Sequence, residues 1–177
     1  TAYPAFDGTG ALLKLSKMGL ADYLIASNQI TVLSQRLIRR LCPHCKQPHT
    51  PDPHLFTALG LVDVDPQGLA LWGPRGCDQC QQRGYQGMVA IHELLVINEA
   101  IREALLEGKP AASIRGIART EAKLVSMAED GFYKALEGIT SLEEVRRMAF
   151  VNEYDAQTPW EAEEIRAICA GLQPDFF

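Results

Sequence analysis

The sequence predicts an α+β protein in which two strand-like runs enclose a cysteine-rich segment and a helical module follows. Three observations predict it. Residues 30–41 and 85–97 are rich in β-branched and aliphatic side chains. Between them, from Cys42 to about Arg83, the composition shifts to Pro, Gly, Cys, His and Gln with little periodicity. Beyond Ile97 come repeated start and stop signals for helices.

Taken in order, Ala11–Met18 reads as a helix stopped by Gly19, and a short helical turn follows around Tyr23–Ser27. Ile30–Leu41 carries Ile30, Val32, Leu33, Leu37 and Ile38 and reads as a strand. Leu33, Leu37 and Leu41 also recur at helical spacing, so a helix competes there. A short helix fits near His54–Leu59. Tyr85–Ile97 returns to strand-like content, and one economical geometry makes the two strands neighbours with the cysteine knuckles at their shared tip. Asn98 can cap a helix that Gly108 ends, and Gly138 stops another. Ser126-Met127-Ala128-Glu129 and Thr140-Ser141-Leu142-Glu143 both fit a capping box, in which a hydroxyl and a carboxylate satisfy orphan backbone donors. Thr158-Pro159-Trp160-Glu161 repeats the device with proline at the first helical position. Ile165, Ile168, Cys169 and Leu172 would then share one helical face.

At 177 residues with 47% hydrophobic content, the chain can bury a core of one ordinary or two small domains. A net charge of -5 argues against nucleic acid and against an anionic bilayer as general partners. No apolar stretch approaches the roughly 18–20 residues of a spanning helix, so no membrane insertion is expected. Nor does the first stretch read as a signal peptide.

The cysteines are the most specific signal. Four of the five fall into two Cys-x-x-Cys pairs, Cys42-Pro43-His44-Cys45 and Cys77-Asp78-Gln79-Cys80. Each pair lets one turn present two sulfurs to a single ion, and two turns complete a tetrahedral thiolate site for structural zinc. Four thiolates leave no open position for water, which excludes a catalytic zinc. The 31 residues between Cys45 and Cys77 are more than a compact zinc ribbon uses, so the intervening segment is expected to have structure of its own. Disulfides or unrelated buried pairs are the bland alternative, and paired thiols of this kind favour a reducing, cytoplasmic setting. His44, His49 and His54 lie close by as exposed or supporting residues, with substitution as ligands the lesser reading. Cys169 reads as a small buried side chain.

A family resemblance rests on several stretches in fixed order. They are Gln35-Arg36-Leu37-Ile38-Arg39-Arg40-Leu41-Cys42-Pro43-His44-Cys45, Gly76-Cys77-Asp78-Gln79-Cys80, Arg83-Gly84-Tyr85-Gln86-Gly87 and Ile91-His92-Glu93-Leu94-Leu95. Glu129-Asp130-Gly131 and Leu136–Val145 follow, and Met18-Gly19 with Leu24–Ser27 precede them. Over roughly residues 8–148 the chain resembles the type II secretion and type IV pilus-assembly ATPases, the family of general secretion pathway protein E and pilus assembly protein B. The resemblance implies a homo-hexameric motor that powers pilin or pseudopilin assembly and protein secretion. ATP and magnesium are implied for the intact family member only. Implied partners are neighbouring subunits and an inner-membrane platform protein, with the protein cytoplasmic and peripheral to the inner membrane.

In those terms residues 1–41 are the C-terminal part of a RecA-like core and 42–84 a zinc-binding insertion. Residues 85–97 are the returning core strand, 98–150 a helical subdomain and 151–177 a C-terminal extension with one helix. Two departures stand out. The phosphate-binding loop Gly-x-x-x-x-Gly-Lys-Ser/Thr is absent, since Gly108-Lys109 is followed by Pro110, so this chain by itself is not expected to hydrolyse ATP. Many relatives carry Thr-Leu-His-Thr-Asn near the start, whereas Thr1–Asp7 has Pro4 about where the histidine would sit.

No catalytic residue is assigned. Arg36, Arg39 and Arg40 form a basic run that either approaches nucleotide phosphates or a neighbouring subunit, with Arg36 preferred, or is a solvated strand face. His92 and Glu93, adjacent on a strand, point to opposite faces and read as structural. The tail, with Asp175-Phe176-Phe177, reads as core packing or a partner contact. The competing functional class is a stand-alone zinc-ribbon-like module that binds nucleic acid or protein, with a dithiol oxidoreductase more remote.

Overall fold

A computed structural model describes residues 4–171; Leu172 and the Asp175-Phe176-Phe177 end lie outside the described residues. Helix α1 (Gly8–Lys17) starts at Asp7, whose carboxylate accepts from the Gly10 N–H at 2.6 Å, and is followed by the single turn α2 (Asp22–Ala26). The competition over residues 30–41 resolves to a strand. β1 (Thr31–Leu41) pairs antiparallel with a distant strand in a register running from Thr31↔Val96 to Leu41↔Tyr85, with one irregularity after Arg39. The spacing that mimicked a helix arises because four residues is also a multiple of the strand period, so Leu33 and Leu37 share one exposed face, while the irregularity after Arg39 precedes the buried Leu41.

Between the two long strands the chain makes β2 (Gln47–Pro48), α3 (His54–Ala58) and β3 (Trp72–Gly73), with β2 and β3 forming a second small antiparallel pair. The partner of β1 is β4 (Tyr85–Val96). The helices α4 (Glu99–Leu106), α5 (Ala111–Ala122), α6 (Met127–Leu136), α7 (Leu142–Met148) and α8 (Ala162–Cys169) complete the mixed α+β architecture.

Side chains alternate across β4, and its buried face carries two cores in succession. Ile91 packs in a cluster with Ile38, the insert residues Phe56, Leu59, Leu61 and Leu71, and Phe132 of α6. Leu95, two pairs of residues further on, packs with Leu12, Ile25, Ile101, Ile114 and Ala118. Glu93 sits between them on the same face, 2% exposed, and its carboxylate is met by Arg115 at 2.9 and 2.8 Å and by the Gly8 N–H at 2.7 Å. Arg115 in turn donates to Asp155 at 2.7 and 3.0 Å, so a buried ion cluster separates the two apolar cores. Arg119, one helical turn on, donates to Glu129 at 3.0 and 2.7 Å. Paired and hydrogen-bonded in this way, the charges are tolerated in the interior.

The caps agree with expectation at Asn98 and Ser126 and differ at two places. Ser141 rather than Thr140 caps α7, accepting from the Glu144 N–H at 3.3 Å, while the Thr140 hydroxyl donates to the Arg39 carbonyl at 2.9 Å. Helix α8 starts at Ala162, capped by Glu161, whose own N–H donates to the Glu164 carboxylate at 3.0 Å. Thr158 to Trp160 therefore precede that helix: the Thr158 carbonyl accepts from Arg119 and the Trp160 indole donates to the Leu124 carbonyl. No helix among the described residues is long and apolar enough to cross a membrane.

Candidate metal centre

The metal centre begins where β1 runs out. The Leu41 N–H donates to the Ile139 carbonyl and the Cys42 N–H to the Gly84 carbonyl, at 2.9 and 3.0 Å, so both strands end side by side at the tip. The first knuckle is a tight turn in which the Cys45 and Lys46 N–H groups donate back to the Cys42 carbonyl. The second uses a 3-10 turn, Asp78–Cys80, followed by Gln81 and Gln82 at φ 54° and 61°. This left-handed path turns the Gly84 N–H onto the Cys80 sulfur at 3.1 Å, and the Cys77 N–H meets the same sulfur at 3.3 Å. Only glycine fits at 84: φ is +72° and a Cβ there would lie 2.4 Å from the Pro74 Cβ.

The four sulfurs of Cys42, Cys45, Cys77 and Cys80 lie within 4.8 Å of one another. Individual separations are 3.9 Å for Cys42–Cys77 and 3.8 Å for both Cys45–Cys80 and Cys77–Cys80. A tetrahedron with metal–sulfur bonds of about 2.3 Å has edges of about 3.8 Å, so the thiols fit a four-coordinate thiophilic ion. Cys42, Cys45 and Cys80 are buried and Cys77 half-buried. Burial pushes the Cys45 thiol up to about 11, eased in part by the Gly76 N–H. Burial pushes Cys80 the same way, but the N–H groups of Cys77 and Gly84 and the adjoining thiols outweigh it and bring Cys80 down to about 6. Cys80 is therefore a readier thiolate than Cys45, held by two backbone donors.

His44, His49 and His54 stay outside this cluster. His44 and His54 are exposed, and His49 Nε2 pairs with Glu143 at 2.8 Å. Cys169 is half-buried on α8, far from the other thiols in the chain, and burial pushes it up to about 12. The basic run divides: Arg36 and Arg40 are exposed, whereas Arg39 reaches Glu144 of α7. His92 and Glu93 do face opposite ways: the His92 side chain is 42% exposed while Glu93 is buried on Arg115, and the His92 backbone N–H donates to Asp130 at 2.8 Å.

The tip is tied to the helical module through one short loop. Lys46 donates to the Gly138 carbonyl at 2.8 Å with its ammonium 5.0 Å from the Trp72 ring centroid. The hydroxyls of Tyr85 and Ser141 are hydrogen-bonded at 2.8 Å. Sequence reading missed these partners because each joins residues far apart in the chain, and it also missed the local pair of Glu144 and Arg147, three residues apart. The signal available was the i,i+3 spacing of Glu144 and Arg147 on one helix.

Residues 5–147 match the family model of type II/IV secretion system proteins. The chain is 47% identical over 139 residues to the type IV pilus assembly ATPase PilB of Thermus thermophilus, covering 78% of this chain and 16% of that protein. It is 40% identical over 139 residues to type II secretion system protein E of Aeromonas hydrophila, and 39% over 140 residues to type II secretion system ATPase E of Vibrio cholerae. Each of these alignments covers 78% of this chain and 27% of the relative. The chain thus spans about a sixth to a quarter of the length of these relatives. With the matched stretch holding all four clustered cysteines and the hairpin that carries them, the chain belongs to the type II/IV secretion system protein family.

Proposed function

We propose that this chain is the zinc-bearing C-terminal region of a hexameric motor ATPase that drives pilin or pseudopilin assembly and protein secretion. In this reading 1–41 and 85–97 close a RecA-like core, 42–84 is the zinc insertion, 98–150 is the helical subdomain and 151–177 an extension. The ATP and magnesium of the whole motor are held by parts of the protein outside this chain. The supporting observation is the tetrahedral spacing of four thiols at the tip of a hairpin whose neighbouring residues are tied to the α6–α7 loop. A zinc ion bound by Cys42, Cys45, Cys77 and Cys80 would cross-link the two strand ends and hold both cysteine turns in a single shape. That fixed shape serves as an architectural and docking element toward neighbouring subunits and an inner-membrane platform protein, on the cytoplasmic side. Arg36 has no carboxylate partner among the described residues and is exposed, which suits contact with a nucleotide or a neighbouring subunit.

Elemental analysis of protein purified without added metal tests the reading. The expected result is near one zinc per chain, lost in Cys42→Ser and Cys80→Ser together with binding to the platform protein. Variants that lose the metal yet keep fold and partner binding would sink the architectural role.

A further inference from the structure

Beside the metal centre the positive charge exceeds what the fold neutralises. Arg39 donates to Glu144 at 3.0 and 2.6 Å, and Arg147 donates to the same carboxylate at 2.8 and 2.6 Å. Two guanidinium groups thus share one carboxylate. Their side chains are 43% and 52% exposed, whereas that of Glu144 is fully buried. Arg39 also lies over the Tyr85 ring at 4.1 Å, which holds it at the surface in one orientation.

Next to this pair a groove of about 450 Å³ runs between the second cysteine turn and the start of β4. Arg39, Arg83 and Tyr85 line it together with Gln79, Gln81 and Gln86; the Gln81 side-chain oxygen accepts from Arg83 and that of Gln86 meets the Cys42 thiol, leaving their NH2 groups as donors. Arg83 is steadied by donating to the Cys80 carbonyl at 3.3 Å and the Gln81 side-chain oxygen at 3.1 Å. No carboxylate among the described residues pairs with it. On a chain of net charge -5 this is a local reversal of sign. Guanidinium forks select carboxylates, and side-chain NH2 groups donate to the C=O groups of a peptide backbone. A concave cleft admits a chain and excludes a flat bilayer.

We propose that this groove binds an extended acidic segment of a partner protein, with Arg83 and Arg39 meeting its carboxylates and the glutamine amides its backbone. The proposal deepens the docking role above and rests on it only in that the cysteine turn forms one wall of the groove.

The test is fluorescence anisotropy of the zinc-loaded chain with a labelled short peptide of alternating glutamate and glycine, with zinc content measured on every sample. Saturable binding is expected, weakened about tenfold by Arg83→Glu and, to a lesser degree, by Arg83→Gln, and weakened by added salt. Lys17→Glu, a charge reversal on α1, should bind like the parent, and the glutamine version of the peptide should not bind. No saturable binding, equal loss in Lys17→Glu, or attachment to phosphatidylglycerol vesicles without peptide binding would overturn the proposal. Full zinc with no peptide binding would remove the groove and leave the metal architecture standing. Peptide binding by a metal-free chain would do the reverse.

Discussion

Arg39 and Glu144, 105 residues apart, are joined through backbone and side chain at once: the Arg39 N–H donates to Oε1 at 2.9 Å while its guanidinium takes Oε2. Burial alone would raise the Glu144 carboxyl, but hydrogen bonds from Arg147 and Arg39 outweigh it and hold it down at about 2. A carboxyl depressed in the folded state contributes stability that is complete above its unfolded value near 4.5 and is lost as pH falls toward 2. Because both arginines are partly exposed, solvent screening reduces the expected contribution to about 1–2 kcal/mol. Urea denaturation at a series of pH values should show this acid-side slope, and Glu144→Gln should flatten it.

Arg115 should be far more sensitive than any exposed arginine. Arg115→Met leaves Glu93 and Asp155 buried without their cation, which is expected to destabilise by about 3–5 kcal/mol. The triple variant Arg115→Met, Glu93→Gln, Asp155→Asn should recover much of that loss, since it removes the stranded charges as well. Chemical denaturation of both variants separates uncompensated charge from lost packing; equal instability would assign the effect to packing.

Gly131 of α6 faces Val145 of α7 so closely that an added Cβ would lie 2.5 Å from its Cγ1. Gly131→Ala should destabilise by about 1–3 kcal/mol through overpacking. Adding Val145→Ala should relieve part of this, giving a favourable coupling in a double-mutant cycle.

Gly84→Ala should loosen the metal. Forcing a left-handed backbone and a clash with Pro74 is expected to disturb the N–H that holds the Cys80 sulfur. Strain of about 1–3 kcal/mol corresponds to roughly fivefold to 150-fold weaker metal retention. Competition with a chromophoric chelator measures it, and unchanged retention would mean that this backbone donor plays no part.

Much of the hairpin and the thiol cluster was legible because both depend on local pattern. β-branched residues from Ile30 to Ile38 marked a strand, and repeated Cys-x-x-Cys pairs marked knuckles that had to meet. The caps were legible in kind but not always in position. At Thr140 and at Thr158 the first hydroxyl looked like the cap, whereas the chain used Ser141, with Thr140 drawn to the Arg39 carbonyl, and Glu161, with the Thr158 carbonyl taken by Arg119. The buried arginines were not legible. Arg115 and Arg119 share a helix face with Ile114 and Ala118, and charged residues there look like a solvated edge unless their carboxylates are known. Those carboxylates lie 22 and 40 residues from Arg115, and 10 from Arg119, set by tertiary packing rather than by any local spacing.

The cluster around Arg115 also carries information about the order of events during folding. Its partners come from α1 at Thr9, β4 at Glu93 and the stretch after α7 at Asp155. A guanidinium cannot leave water until its anions have arrived, so the two apolar cores can each collapse early while the seam between them stays wet. Sealing that seam must wait for Asp155, 40 residues from Arg115, which makes an ionic contact the latch on two cores that are themselves gathered from distant segments.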